Sequence, residues 1–149
     1  MRWRWPLPLD KPPHDAAGNV EVHDHAGILA DHGVIRRISA DHLVDDEKTG
    51  GKRVSTMAFG ASSGVNGGMS VDLEESIAEA GLDPRTFVIS PPFLGAVKFT
   101  AGALRSQEFK VGYDPIPTNP HHGEVWGNFT GGKKKWLQRN AEIFVVPKA

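Results

Sequence analysis

A chain of 149 residues is long enough for one domain with a proper core and too short for two of ordinary size. Its formal net charge of −1 provides no overall field to draw in nucleic acid or an anionic membrane, and the absence of cysteine removes disulfides, thiolate metal sites and cysteine nucleophiles. No apolar run approaches the roughly 20 residues of a membrane span, and the first residues lack the apolar stretch of a signal peptide, so a cytoplasmic protein with no membrane partner is expected.

Residues 1–19 read as an extended arm, because prolines cluster there and Met1-Arg2-Trp3-Arg4-Trp5 alternates cation with indole. Trp3 and Trp5 predict burial on the domain or on a subunit neighbour; a partner or nucleic-acid contact through Arg2 and Arg4 is the other reading. Residues 20–149 are expected to form one domain. Strand-like composition marks 20–23 and 33–38, a short helical turn 39–43, a Gly50-Gly51 turn 48–52 and a further strand 54–59. The Gly/Ser-rich segment 60–68 reads as a mobile loop that could serve as a lid. A strand at 69–71 leads into the clearest helix, with Asp72 as N-cap, Glu75 at the capping-box position, Leu73, Ile77 and Ala80 on one face, and Gly81 as its stop. Strands follow at 86–90, 96–100, 109–111, 124–127 and 142–146, with a helical turn at 103–107 and a helix at 132–140. The sum is an α+β fold: one compact domain with a mixed, mostly antiparallel sheet, two or three short helices and a Pro/Trp-rich arm.

The segment Asp114-Pro115-Ile116-Pro117-Thr118-Asn119-Pro120-His121-His122-Gly123 is where chemistry is best sought. Three prolines lower the cost of ordering the loop, so the imidazoles it carries are positioned cheaply. His121 and His122 are therefore candidate acid/base residues, with Glu124 beside them. Arg36 and Arg37 alternate on a strand, so one of them shares a face with Val34 and Ile38 and must find an anion there. That anion is either a structural carboxylate, Asp72 or Asp45, or a ligand phosphate held bidentately. Ser55 and Ser70 supply hydroxyls close to the Gly/Ser loop.

Two further patterns point to ligands. Gly127-Asn128-Phe129-Thr130-Gly131-Gly132-Lys133-Lys134 fits a phosphate-binding loop except at its last position, where Lys134 replaces the hydroxyl that ligates Mg²⁺. That argues against nucleotide triphosphate hydrolysis and leaves an anion at a helix start, aided by Lys133, against a solvated basic face. His23 and His25, at i and i+2 of a strand, could form a divalent metal site with His32 or Asp31, against plain exposure in polar turns.

Arg36-Arg37-Ile38, Ser55-Thr56-Met57-Ala58-Phe59, Gly68-Met69-Ser70-Val71, Asp114-Pro115 and Asn119-Pro120-His121-His122 with Val125-Trp126-Gly127 together resemble a group of small bacterial single-domain proteins with no assigned activity. The likeness runs over about residues 33–147, and Val54 stands where that group has proline. It implies bacterial origin and a shared fold. The order of features is also similar to ADP-ribosyltransferase-type domains. That likeness implies Arg36 on an NAD pyrophosphate, Ser55 or Ser70 on the nicotinamide ribose, and Glu124 or His121 orienting the nucleophile.

Two functions of different class follow. One is an enzyme or sensor for a phosphate-bearing ligand such as a nucleotide, with an arginine clamp and a loop histidine as acid or base. It predicts a concave site joining loop 114–123 to the early strand. The other is an accessory protein that contacts protein or nucleic acid through the Trp/Arg arm and the patch from Lys133 to Trp136. A homo-oligomer is compatible with either.

Overall fold

In the computed structural model, residues 9–62 and 66–148 are described. The expectations for Trp3, Trp5, Arg2 and Arg4 lie outside them. Each of six strands carries at least one β-branched or aromatic residue. These are β1 (Gly33–Ser39), β4 (Met69–Leu73), β5 (Phe93–Thr100), β6 (Lys110–Tyr113), β7 (His122–Trp126) and β8 (Glu142–Val145). They form one sheet in the order β6-β7-β4-β1-β5-β8 with every neighbouring pair antiparallel, beside a two-stranded ribbon of β2 (Leu43–Asp45) and β3 (Lys52–Val54). The fold is α+β, a single domain, as composition and pattern predict.

Because side chains alternate along a strand, each face of the sheet has its own core. One face carries Val34 and Ile38 of β1, Val71 of β4, Val97 and Phe99 of β5 and Val125 of β7. Leu104 of α3 (Ala101–Ser106) and Leu137 of α4 (Gly131–Asn140) belong to the same cluster. The opposite face is only partly apolar: Ile35 and Ala96 pack with Phe144, with Ile77 of α1 (Glu74–Glu79) and with Val88, which follows α2 (Pro84–Phe87). Over β4 and β7 that same face carries the polar residues Ser70, Asp72, His122 and Glu124.

Several local expectations are corrected. Residues 86–90 are not a strand: Pro84 opens α2, whose N-cap Asp83 accepts from the Arg85 amide, so capping outweighs the β-branched residues that follow. Asp72 is not a helix cap; it is a strand residue, and Leu73 occupies the cap position of α1 without a side-chain bond. Residues 54–59 split into the end of β3 and a 3-10 turn at Thr56–Ala58, which Ser55 caps by accepting from the Met57 amide. Segment 20–23 does not join the sheet as a strand. Instead Asp24 accepts from the Val111 amide and His23 Nε2 accepts from the Tyr113 amide, so side chains finish the outer edge of β6.

Gly112 in β6 is required by that arrangement. A Cβ there would collide with the Trp126 ring and come within 2.8 Å of the His23 ring. Gly112→Ala is expected to cost about 1–3 kcal/mol, measured by urea denaturation, and to release His23 from the β6 edge, visible as faster hydrogen exchange at Tyr113.

Candidate functional site

The β4/β7 register sets Ser70 opposite Glu124 and Asp72 opposite His122. Directly paired residues project to the same face, so four polar side chains form one block on two central strands. Asp72, His122 and Glu124 are buried, and the block floors a cleft of about 830 Å³. Its walls come from β1 through Arg37, from Phe87 and Phe93, and from loop 114–119. The cleft thus joins the proline loop to the early strand.

His122 is held at both ring nitrogens. Nδ1 lies 2.8 Å from the backbone carbonyl of Asp114 and 3.3 Å from its carboxylate. A carbonyl oxygen can only accept, so Nδ1 carries the proton, and in the neutral ring Nε2 is left as the acceptor. Ser70 Oγ is 2.6 Å from Nε2, so the serine hydroxyl donates to the neutral ring. Ser70, His122 and Asp114 therefore form a continuous hydroxyl–imidazole–carboxylate chain. Burial alone would push the imidazole pKa down, but the side chain and backbone of Asp114, together with the Glu124 charge, outweigh it and lift the ring above its ordinary value.

The two arginines have separate tasks. β1 and β4 pair only at Val34 with Leu73 and Ile35 with Asp72, and beyond that point the Arg36 side chain takes over from the ladder. Its Nε donates to the Ala58 carbonyl and its Nη1 to the Ser70 carbonyl, both at 2.8 Å, with a longer bond to Ser62 Oγ at 3.3 Å. Desolvation lowers its pKa and the Glu124 charge acts in the opposite direction. Arg37 lies on the cleft face and forks onto Asp72, with Nε 2.7 Å from Oδ2 and Nη2 3.1 Å from Oδ1. Its guanidinium also sits over the rings of Phe87 and Phe93, 5.6 and 5.8 Å from their centroids. Neither carboxylate considered from sequence holds Arg36, the arginine that shares a face with Val34 and Ile38: Asp72 pairs with Arg37, and Asp45 with Lys52.

Asn119 ties the loop to the sheet. Its Nδ2 donates to Asp72 Oδ1 at 2.7 Å and its Oδ1 accepts from the His121 amide at 2.9 Å. The adjacent histidines then diverge. His121 Nδ1 is 2.7 Å from Ser76 Oγ, its ring meets Phe87 edge-on, and it lines a separate, more apolar pocket of about 410 Å³ with Leu73 and Tyr113. Burial lowers its pKa against the pull of Asp72. His122, not His121, faces the cleft.

Of the residues singled out from sequence, Arg36, Arg37, Ser70, His122 and Glu124 converge, and the others do not. Ser55 caps a turn elsewhere. Lys133 Nζ donates to the Gln107 carbonyl, and Thr130 already caps the start of α4, so segment 127–134 is a capped helix entry. Trp136 is partly buried, stacked on Phe99 against the core. His23 and His25 are neighbours, ring centroids 5.9 Å apart, yet their ring nitrogens are committed to backbone groups, and His32 Nδ1 accepts from the Leu29 amide. Among the described residues the group with metal-ligand spacing is Asp114, His122 and Glu124, whose ligand atoms lie within 4.8 Å of one another. A cation there would displace a hydrogen bond that His122 already makes.

Sequence reasoning missed the roles of Asp114 and Asn119, although both stand in the loop it selected, and it left Asp72 divided between a helix cap and an arginine's partner. It also passed over Ser62, whose Oγ accepts from the Ser70 amide at 2.8 Å. Arg37→Ala would leave the Asp72 carboxylate buried without its fork. It is expected to lower stability by about 3 kcal/mol, measured by chemical denaturation, with Arg37→Lys recovering part of the loss. Compared with protein-family models, with curated proteins and with solved structures, the chain matches none.

Proposed function

We propose that the cleft is the active site of an enzyme in which His122 is the general base and then the general acid. The observation that carries this reading is the polarised imidazole: Nδ1–H fixed by Asp114, Nε2 open to a hydroxyl at 2.6 Å. A base held in one tautomer, oriented from behind and hydrogen-bonded to the group it would deprotonate, is the arrangement that hydrolytic and group-transfer chemistry needs. Asp114 would stabilise the imidazolium that forms on proton uptake, and Glu124 adds negative charge to the same end.

The phosphate-bearing ligand expected from the arginine pair draws less support. Both guanidinium forks are engaged by protein acceptors, and Asp72, Asp114 and Glu124 line the same cleft. Two guanidinium groups facing three carboxylates would repel a phosphate dianion. A substrate whose reacting group is neutral fits better.

The first test is turnover of a panel of neutral p-nitrophenyl esters and of nucleotides, NAD included, by the wild type and His122→Gln. Turnover of one class, falling about 100-fold or more in the variant, is expected. Equal rates in both proteins would sink the assignment.

A second prediction concerns pH. A base must be deprotonated to act, so the rate is expected to rise through an apparent pKa above the ordinary histidine value of 6.5, and Asp114→Asn is expected to move that limb to lower pH. The stability side has the opposite sense. The folded state holds the His122 proton more tightly than the unfolded chain does. Its contribution is therefore complete below the ordinary value and is lost as pH rises through the raised one. The stability gap between wild type and His122→Gln, measured by urea denaturation, should narrow with rising pH over that window.

A further inference from the structure

Resting on the acid–base reading of the cleft, we propose that Ser70 is its nucleophile, that the enzyme works through a covalent acyl-serine, and that its substrates are uncharged carboxylic esters. The serine hydroxyl is within hydrogen-bonding distance of the base and donates to its neutral form, and its strand position is fixed on three sides. Its carbonyl accepts from Arg36, its amide donates to Ser62 Oγ, and its β7 neighbour is Glu124. A second hydroxyl completes the chemistry. Ser62 Oγ accepts from both the Ser70 amide and Arg36 Nη1, so its own proton remains to be donated, and Ser62 lines the cleft. A donor held beside the nucleophile and polarised by a half-buried guanidinium is suited to an oxyanion forming at the attacked carbon.

The step balances within the site and water. Ser70 Oγ adds to the ester carbonyl carbon while its proton passes to His122 Nε2, and the carbonyl oxygen becomes an oxyanion that takes the Ser62 hydrogen bond. The carbonyl re-forms as the bond to the alcohol oxygen breaks, and His122 gives its proton to the departing alkoxide. Water then repeats the sequence on the acyl-serine, releasing a carboxylic acid and returning the proton to Ser70. The charge around the cleft favours this class over phosphate esters, because the ester is neutral until the oxyanion forms and only one negative charge then develops, next to Ser62 and Arg36.

The experiment uses a fluorophosphonate probe and intact-mass spectrometry on the full chain. Stoichiometric labelling of wild type at Ser70, absent in Ser70→Ala and slowed at least about 100-fold in His122→Gln, is expected. Circular dichroism serves as the folding check. A second variant guards against a folding artefact. Because the chain has no cysteine, Ser70→Cys introduces its only thiol. Its alkylation by iodoacetamide at neutral pH should fall when His122→Gln is added. Label on Ser62, or on Ser90, which also lines the cleft, in place of Ser70, or alkylation of the thiol indifferent to His122, overturns the nucleophile. No label anywhere, with ester turnover still lost in His122→Gln, also overturns it and leaves water as the group His122 activates. If neither labelling nor turnover depends on His122, the acid–base reading itself fails.

Discussion

The carboxylate of Asp72 is the constraint around which the site is assembled. It is a buried charge at the centre of a sheet, and such a group persists only if its oxygens are filled. Arg37 fills them from β1 and Asn119 from the proline loop, so one carboxylate fastens three segments that are distant in sequence. The loop could not hold its histidines without that anchor: Asn119 also receives the His121 amide on its side chain and the His122 amide on its carbonyl. Three prolines shorten the list of unfolded loop conformations, and Asp72 selects among those that remain.

From that anchor the two histidines acquire opposite characters. His121 ends the loop against Ser76 and Phe87, in surroundings that favour the neutral ring. One residue later the chain has entered β7, and His122 meets acidic groups that favour the charged ring. Both are buried, so burial alone does not separate them. The difference comes from which side of the β4/β7 pair each ring occupies.

Much of the fold was legible because it is written in local signals. Alternation in β1 and β5, the glycine stop after α1 and the turn at Gly50-Gly51 each act within a few residues. The errors arose where a residue had two uses. Asp72 has a cap-like position and a partner 35 residues upstream, and only tertiary structure decides between them. Residues 86–90 have strand propensity, but Asp83 and Pro84 commit the chain to a helical turn first. For the site, the sequence identified the proline loop and the Arg36-Arg37 strand, which are dense in unusual residues. It could not show that Ser70 and His122 stand within hydrogen-bonding distance, because that depends on a β4/β7 register spanning 52 positions. Nor could it separate Ser55, a turn cap, from Ser70, since both look alike as hydroxyls on short strands.

The finished edge of β6 bears on how copies of this chain meet. A sheet margin ordinarily offers a row of amide donors and carbonyl acceptors to any strand that passes. Here the outward amides at Val111 and Tyr113 are occupied by the Asp24 carboxylate and the His23 ring, and the Val111 carbonyl takes the His25 amide. Segment 23–25 thereby acts as a selvedge, closing the weave with side chains where another strand would otherwise be needed. A foreign strand could add there only by first stripping off that border, so the side of the sheet bearing the cleft's β7 floor is guarded against edge-to-edge stacking into fibres.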